Sequence, residues 1–408
     1  MLRLAGSTFG KAVIKERPED FVVNEITKSG VVLESDAQLG CDALWNDDGM
    51  EKKFTVFVMQ KRDWNTAQAL RAIAKRLNRG IKSIGFAGTK DRKAITTQLC
   101  SIYGATPEQV RSVSIKDIKI NGACASSKAV KLGELEGNKF MIRLSKLDGR
   151  GRDVLYNHEL FPNYFGDQRF GIRKNNQDVG IMIMKGDMEG AAMAFLTDTQ
   201  NELDKEAVMA RERLKDERNF KAAMAYFPRH LKYEKAVIEY LSRYEGNYAN
   251  ALRKLPRQLL MMFVHSVEDN VFNKVVEHMV MEGRTRPAEG DLVCAADEYG
   301  FPDYSKINRY EHGKAFPVAN LIGYDTKGIS EYESEELERI GVTVEDFKVK
   351  GIPEINCKGS FRAAFAPYND FLWDSEKQEV RFSLPAGSYA TVFLNELFDI
   401  QEGLGGGD

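Results

Sequence analysis

Alternating apolar and polar residues predict several strands in the first part of the chain. Residues 12–14 and 21–26 alternate weakly, residues 31–33 are apolar, and Lys28-Ser29-Gly30 between them is typical of a hairpin turn. The β-branched and aromatic run at residues 54–59 favours another strand. Further strands are expected at residues 114–120, 129–132 and 139–144. Because hairpins rather than crossover helices link these strands, the pattern favours an antiparallel or mixed sheet with helices, which is an α+β fold.

A helix is predicted between residues 65 and 78. Asn65 or Thr66 can cap its first turn, and Gly80 can end it. Apolar residues recur there at spacings of three and four: Ala69, Leu70, Ile73, Ala74 and Leu77. The other faces carry four basic side chains: Arg71, Lys75, Arg76 and Arg79. Such a face is usually only solvated, but because a second basic segment follows it in the sequence, we expect these side chains to contact a phosphate backbone.

The hydrophobic pattern becomes helical after residue 184 and strand-like again after residue 354. The longest helix is expected at residues 255–281, where a methionine-rich apolar stripe is typical of a core. A glycine-rich tail at residues 402–408 is expected to be disordered. We therefore predict one domain made from both ends of the chain and interrupted by a second domain. The three predicted segments are 1–183, 184–354 and 355–408.

The segment GFAGTKDRKAITTQ at residues 85–98 carries the first candidate chemistry. Its single carboxylate, Asp91, stands among Lys90, Arg92 and Lys93. Positive neighbours favour the ionised form of a carboxylate, so Asp91 could act as a nucleophile or base toward a polyanionic substrate. An ordinary solvated turn has the same composition, so these four residues alone leave both interpretations open. A phosphate-binding P-loop is excluded because Asp91, rather than Ser or Thr, follows Lys90.

Residues 161–171, FPNYFGDQRFG, form a second candidate segment. Aromatic side chains interleaved with Arg and Gln are typical of pockets that stack an unpaired RNA base and bind its edge. A loop that packs its aromatic rings into a core would have the same pattern. The segment by itself does not decide between these two interpretations.

The distribution of charge favours a polyanionic partner for one part of the chain. The 408 residues carry a net charge of −2 and 43% hydrophobic residues, which is typical of soluble globular proteins of two or three domains. Residues 52–98 nevertheless hold twelve Lys or Arg against two acids, a balance of +10, whereas residues 184–354 hold 24 against 31. A basic region of this kind indicates nucleic acid or phosphate without specifying a sequence.

Cysteine and histidine spacing predicts neither a metal site nor a disulfide framework. The five cysteines are dispersed without a CxxC pair, and the five histidines lack metal-ligand spacing. No run of about 18 apolar residues predicts a membrane span. A reducing cytoplasm is therefore the simplest location for the protein.

Five segments together resemble the TruD family of pseudouridine synthases. They are KERPEDFVVNE at 15–25, GTKDRKAITTQ at 88–98, LGELEGNKFMIRL at 132–144, NYFGDQRFG at 163–171 and LPAGSYAT at 384–391. All five occur in the order found in the family, and their co-occurrence is far more specific than any one of them. Residues 184–354 resemble the family's TRUD domain more loosely, in length, in placement and in the helix at 255–281.

The resemblance implies both a fold and an activity. The fold is a pseudouridine-synthase catalytic domain, with a mixed and largely antiparallel sheet flanked by helices, plus an inserted α/β TRUD domain. The activity is isomerisation of uridine to pseudouridine in tRNA, usually at position 13. This reaction needs no redox partner, metal or cofactor, and the sequence offers no motif for one. We therefore expect tRNA as the partner, no cofactor, no metal, no membrane and a monomeric protein.

The resemblance also implies individual site residues. Asp91 matches the catalytic aspartate, and Lys15 takes the place of the lysine paired with it, so their charged groups should lie within about 4 Å of each other. Asn163 and Phe165 match the residues that shape the uridine pocket. Tyr389 stands where the bacterial pattern has a phenylalanine, which keeps a stacking face and adds a hydroxyl. Separately, positive charge makes six side chains candidates for RNA backbone contacts: Arg71, Lys75, Arg76, Arg79, Lys90 and Arg92.

Two alternatives compete with a pseudouridine synthase. One is an RNA-binding or RNA-chaperone module without turnover, which would gain nothing from a carboxylate such as Asp91 in a site for polyanions. The other is a phosphate-handling enzyme that uses Gly88 and Lys90. That enzyme would bind nucleotides and depend on a metal, and the sequence contains no second motif for it.

Overall fold

The computed structural model describes residues 1–44, 50–148, 154 and 156–403. The chain divides into two compact units, which we name by their sequence ranges. The terminal unit contains residues 3–162, 296–302 and 366–408, and the central unit contains residues 1–2, 163–295 and 303–365. The predicted domain borders after residues 183 and 354 lie within the ranges of the central unit. In the described part of the chain, no helix combines the length and the apolarity that a membrane crossing needs.

Sixteen strands and twelve α-helices lie within the described ranges. The strands are β1 (Lys11–Ile14), β2 (Phe21–Ile26), β3 (Phe54–Arg62), β4 (Ile84–Phe86), β5 (Ile95–Tyr103), β6 (Ile118–Ser126), β7 (Gly137–Arg143), β8 (Leu160–Pro162), β9 (Leu292–Ala296), β10 (Pro302–Arg309), β11 (Ala315–Leu321), β12 (Ser360–Ala363), β13 (Phe365–Pro367), β14 (Asn369–Asp374), β15 (Glu379–Pro385) and β16 (Asp399–Glu402). The helices are α1 (Cys41–Leu44), α2 (Thr66–Arg76), α3 (Pro107–Arg111), α4 (Asn176–Lys185), α5 (Met188–Thr197), α6 (Lys205–Glu217), α7 (Phe220–Tyr226), α8 (Lys232–Arg243), α9 (Tyr248–Leu252), α10 (Arg257–Met281), α11 (Glu331–Arg339) and α12 (Ala390–Leu397).

The terminal unit is built on an eight-stranded sheet. Its strand order is β14-β15-β7-β2-β5-β3-β6, and β4 pairs with β5. Strands β2 and β5 run parallel, with Val22 opposite Ile95, whereas the other pairs of this sheet run antiparallel. The sheet is therefore mixed and largely antiparallel, which confirms the fold class that the resemblance implies. A separate parallel pair joins β1 to β16.

Helix α2 begins where the sequence predicts. The Asn65 side chain accepts a hydrogen bond from the Ala67 N–H at 2.9 Å, so it caps the first turn. The helix ends at Arg76, and Asn78 follows with a positive φ of 52°, a left-handed conformation that stops the helix. The apolar face packs into a core with side chains of β3 and β5, including Phe57 and Cys100. Burial of this face leaves the basic face of α2 exposed.

Two predicted strands are wrong. The apolar run at residues 31–33 contributes a single bridge, to Ile26 of β2, rather than a strand. Residues 129–132 also form no strand, because the Val130 N–H donates to the Ser101 hydroxyl at 2.9 Å instead of joining a ladder. A side chain thus satisfies the backbone donor that a neighbouring strand would otherwise pair with.

The structure contains a disulfide bond that the cysteine spacing did not predict. Cys41 and Cys124 are 83 residues apart in the sequence, yet their Cα atoms are 5.4 Å apart. A hydrogen bond of 2.8 Å from the Leu39 N–H to the Asn121 carbonyl ties the chain before Cys41 to β6, which carries Cys124. The prediction failed because this proximity arises from the path of the chain, which cysteine spacing does not encode. The remaining cysteines are buried free thiols: Cys100, Cys294 and Cys357.

The central unit combines helices with a four-stranded sheet. The sheet order is β10-β9-β11-β12, and β11 runs antiparallel to both β9 and β12. Helix α10 is 25 residues long and contributes much of the core, as its apolar stripe predicts. Helix α4 packs closely against it at Gly180, where a Cβ atom would lie 2.1 Å from the Phe263 carbonyl oxygen. Glycine is therefore required at this helix crossing.

Candidate active site

The turn that carries Asp91 connects β4 to β5 in the terminal unit. These strands are antiparallel, with Gly85 opposite Ser101, so the turn projects from their shared end. A Cβ atom at Gly85 would lie 2.1 Å from the Val130 carbonyl oxygen, so the chain can pass here only as glycine. The Asp91 side chain is 35% exposed, which leaves it accessible to a substrate.

Lys15 lies directly against Asp91. Its Nζ is 3.1 Å from Asp91 Oδ2, inside the distance predicted from the sequence, and its side chain is only 5% exposed. Lys15 follows β1 with a φ of 56°, a left-handed conformation that costs a non-glycine residue about 1–3 kcal/mol. The ammonium is also 4.5 Å from the centre of the Phe21 ring. A strained backbone thus directs a buried cation toward the carboxylate.

Glu402 is a second partner of Lys15 that sequence reasoning missed. Its Oε1 is 3.0 Å from Lys15 Nζ, because the parallel pairing of β1 with β16 sets Glu402 opposite Ile14. Burial of the ammonium alone would lower the pKa of Lys15, but Asp91 and then Glu402 outweigh this effect and raise it. The sequence placed Glu402 in a disordered tail, whereas it ends a strand. Only residues 404–408 of that tail lie outside the described residues.

Lys61 supports the turn from within the sheet. Its ammonium, which is 0% exposed, donates to the Asp91 carbonyl at 2.7 Å and lies 3.4 Å from the Lys90 carbonyl. Burial lowers the pKa of Lys61 to about 8, although Asp91 opposes the shift. Lys61 lies in β3, two residues beyond the run predicted at 54–59, and was predicted only as one of the charges of the basic region at residues 52–98.

Lys90 is buried, which corrects its predicted contact with RNA. Its Nζ is 2.6 Å from Glu25 Oε2, and the two side chains are 5% and 0% exposed. Burial raises the pKa of Glu25, although Lys90 opposes the shift. The other carboxylate oxygen of Glu25 accepts the Leu99 N–H at 2.9 Å. Lys90 therefore anchors the turn and does not present its charge to a phosphate.

The remaining basic candidates are exposed. Arg71, Lys75 and Arg76 project from α2. Arg79 is also exposed, and its Nε donates to the Gly104 carbonyl at 3.1 Å. The Arg92 side chain is 47% exposed and lies 3.8 Å from Asp63. This surface has the charge and exposure that a phosphate contact requires.

Tyr389 belongs to the same unit as Asp91 and Lys15. It precedes α12 with an extended backbone, and its carbonyl accepts the N–H groups of Val392 and Phe393, each at 3.1 Å. The preceding Gly387 has a φ of 85°, which turns the chain between β15 and the helix. The Tyr389 side chain is partly exposed.

Asn163 lies in the central unit and is 1% exposed. Its side-chain oxygen accepts a hydrogen bond of 2.7 Å from Arg362, whose Nε also donates to the Asn163 carbonyl at 3.1 Å. Its side-chain nitrogen donates to the Ala363 carbonyl at 2.9 Å. The oxygen and the nitrogen of the Asn163 amide are thus both hydrogen-bonded, to Arg362 and to Ala363 respectively.

Phe165 is 4% exposed and belongs to the same network. The Asn273 amide of α10 accepts the Phe165 N–H at 2.8 Å and donates to its carbonyl at 3.0 Å. The Arg362 guanidinium lies 4.3 Å from the centre of the Phe165 ring, a cation–π distance. The contacts of Asn273 and Arg362 could not be predicted from the sequence, because these residues are about 100 and 200 residues away from the segment that they hold.

Potential metal ligands occur together in the central unit. Within the described ranges, the group of three that could hold an ion is His265, Glu268 and Cys357. This group does not include any residue that the sequence predicts for the active site.

Comparisons with known proteins agree over nearly the whole chain. A family model described as tRNA pseudouridine synthase D (TruD) matches residues 5–397. A probable tRNA pseudouridine synthase D of Methanosarcina acetivorans is 32% identical, with 95% of this chain and 92% of the relative covered. Its counterpart in Methanococcus maripaludis is 34% identical, with 94% of each chain covered. The crystal structure of a TruD candidate from Methanosarcina mazei is similar with a TM-score of 0.74 at 30% identity, covering 98% of this chain and 96% of that chain.

Proposed function

This chain belongs to the TruD family of tRNA pseudouridine synthases, and from that premise we propose that Asp91 is the catalytic carboxylate of a uridine isomerase acting on tRNA. Uridine 13 is the proposed target, following the resemblance. Lys15 is the proposed charged partner of Asp91. We propose the cytoplasm as the compartment on the basis of the tRNA substrate alone, because the disulfide between Cys41 and Cys124 removes the argument from cysteine spacing. The proposed state is a monomer.

The observation that carries this proposal is the pair formed by Lys15 and Asp91. The ammonium, 5% exposed, lies 3.1 Å from a carboxylate that is 35% exposed. An ammonium at this distance attracts the carboxylate and holds it in place. The exposed member of the pair is the one that can reach a substrate, while the buried member positions it.

The reaction assigns Asp91 a definite task. The N1–C1′ bond of uridine breaks, a C5–C1′ bond forms, the C5 proton leaves and N1 takes up a proton, so the product has the same atoms as the substrate. An ionised carboxylate can start this sequence by attacking the nucleoside or by removing a proton from it. Lys61 fixes the backbone of the turn through the Asp91 carbonyl at 2.7 Å, so the side chain starts from a defined position.

Binding of the uracil requires stacking and hydrogen bonding. We propose that Tyr389 supplies a stacking face, since its side chain is partly exposed. We also propose that Asn163 and Phe165 take part in uridine recognition, as the resemblance implies. Arg362 and Asn273 hold Asn163 and Phe165 in place from within the central unit. We therefore expect Asn163 and Phe165 to act by fixing the conformation of their loop. Stacking would offset part of the cost of turning the base out of folded tRNA, which is a few kcal/mol.

The substitution Asp91→Asn tests the proposal. It nearly preserves shape and removes the charge, so it should abolish pseudouridine formation while tRNA binding persists. Tritium release from C5-labelled tRNA would measure turnover, and filter binding would measure affinity. Asp63→Asn is the matched control, because Asp63 is 51% exposed and adjoins the same turn through Arg92. Turnover of Asp91→Asn within tenfold of the wild type, about 1.4 kcal/mol of barrier, would instead favour a binding module without catalysis.

A further inference from the structure

A cluster in the central unit brings together three side chains of the types that bind transition metals. His265 and Glu268 stand three residues apart on α10 and therefore share one face of the helix. Cys357 lies in the segment before β12. One Glu268 oxygen contacts His265 Nδ1 and the other lies 3.0 Å from Cys357 Sγ. One ligand atom from each residue falls within 4.8 Å of the other two.

Rigid backbone holds these three residues in place. Helix α10 carries two of them. The Cys357 N–H donates to the Phe347 carbonyl at 3.1 Å, and its carbonyl accepts the Tyr324 N–H at 2.9 Å. The Glu268 and Cys357 side chains are buried, whereas His265 is 28% exposed and leaves a path from solvent. A site that is held before the ion arrives loses little conformational entropy on binding.

Asp269 follows Glu268 on α10, and its charge is already balanced. Its side chain is 1% exposed, and Arg169 lies 3.2 Å away. His265, Glu268 and Cys357 therefore have to balance the charge of an ion by themselves.

We propose that His265, Glu268 and Cys357 bind one Zn²⁺ ion. Imidazole nitrogen, carboxylate oxygen and thiolate sulfur are all zinc ligands. Binding would release the thiol proton and any proton shared by the imidazole. The ion, a thiolate, a carboxylate and a neutral imidazole then sum to zero charge, and Asp269 with Arg169 also sums to zero. The ion would connect α10 to the segment before β12 within the central unit, and this inference does not depend on the proposed function.

Metal analysis of the full-length protein tests this inference. Protein freed of metal with a chelator is incubated with Zn²⁺, passed over a desalting column and assayed by mass spectrometry. The wild type should retain one zinc per chain. Cys357→Ser should bind at least tenfold more weakly. Cys294→Ser is the matched control, since Cys294 is also buried but its thiol lies near the Phe316 carbonyl at 3.8 Å, and it should bind like the wild type.

Cobalt provides a second readout that needs no variant. Co²⁺ bound by a thiolate gives a near-ultraviolet charge-transfer band, which we expect for the wild type and for Cys294→Ser. If Cys357→Ser does not fold, Glu268→Gln takes its place as the test variant, and it should weaken the band. Absence of stoichiometric zinc and of this band in the wild type would overturn the proposal, as would full zinc retention by Cys357→Ser. The three side chains would then form a hydrogen-bonded network only.

Discussion

The turn at Asp91 and the loop at residues 163–170 use their polar groups in different ways. At the turn, buried cations surround a carboxylate that is 35% exposed. In the loop, the amide of Asn163 is 1% exposed and is hydrogen-bonded within the central unit at both ends. The turn therefore keeps one charged group available for a reaction, whereas the hydrogen bonds of the loop stabilise its own conformation.

This difference predicts different consequences of substitution. A charge that serves a reaction can be removed with little loss of folding stability, because the carboxylate is partly solvated. A buried ring or amide that makes several contacts cannot be removed without a cost to the fold. Turnover and thermal stability should therefore change independently at Asp91 and together in the loop.

Among the residues that surround Asp91, the largest effect on turnover is expected for Lys15→Met. Turnover should fall by about 10- to 100-fold, which is about 1.4–2.7 kcal/mol of barrier, because the carboxylate loses the cation that positions it. Single-turnover rates would show this loss, and calorimetry should show a lower melting temperature, because Lys15 is buried and is the shared cation of Asp91 and Glu402.

Glu402→Gln is the matched control for Lys15→Met. It removes the other carboxylate within 3.0 Å of the Lys15 ammonium and keeps the cation itself. Turnover should stay within about threefold of the wild type, less than 1 kcal/mol. Wild-type turnover in Lys15→Met would contradict the role of Lys15 and remove the contrast between the turn and the loop.

Phe165→Ala should lower both stability and turnover. Truncation of a buried phenylalanine costs about 3–5 kcal/mol, and here it also removes a cation–π contact with Arg362 at 4.3 Å. Calorimetry should show a lower melting temperature, whereas Asp91→Asn should melt like the wild type. A wild-type melting temperature with greatly reduced turnover would show that the ring serves the substrate alone.

A smaller effect is expected when Arg76 and Arg79 are both changed to Glu. Both side chains are exposed in the basic region of the terminal unit, so the reversal should weaken tRNA binding and flatten its dependence on salt. The charge-matched control is the pair Lys221→Glu and Lys232→Glu, two exposed lysines within residues 184–354, where acids outnumber bases and we expect little change. Equal affinity of the Arg76 and Arg79 variant and the wild type at low and high salt would refute the contact.

The smallest effect is expected for Tyr389→Phe. The substitution keeps the stacking face and removes only the hydroxyl, so turnover should stay within about twofold. Tyr389→Ala should lower turnover by an amount consistent with base stacking, about 1–3 kcal/mol. A large loss in Tyr389→Phe would mean that the hydroxyl takes part in the reaction and that stacking is the wrong role.

Local chemistry in the sequence was enough to predict several elements of the structure. The spacing of apolar residues predicted α2 and its Asn65 cap, because helix periodicity and capping depend on neighbours within a few residues. The aromatic and β-branched run predicted β3 for the same reason. Five segments in a fixed order indicated the family, and charge counting located the exposed basic face of α2.

The tertiary structure alone decided which distant groups meet. Parallel pairing of β1 with β16 brings Glu402 to Lys15, and burial against Glu25 removes Lys90 from the exposed basic surface. Likewise, the disulfide between Cys41 and Cys124 spans 83 residues. Such contacts depend on strand order and on desolvation, which are properties of the whole packed chain. The sequence therefore determined the local elements and the reactive residue types, and the fold determined their partners, their exposure and their charge balance.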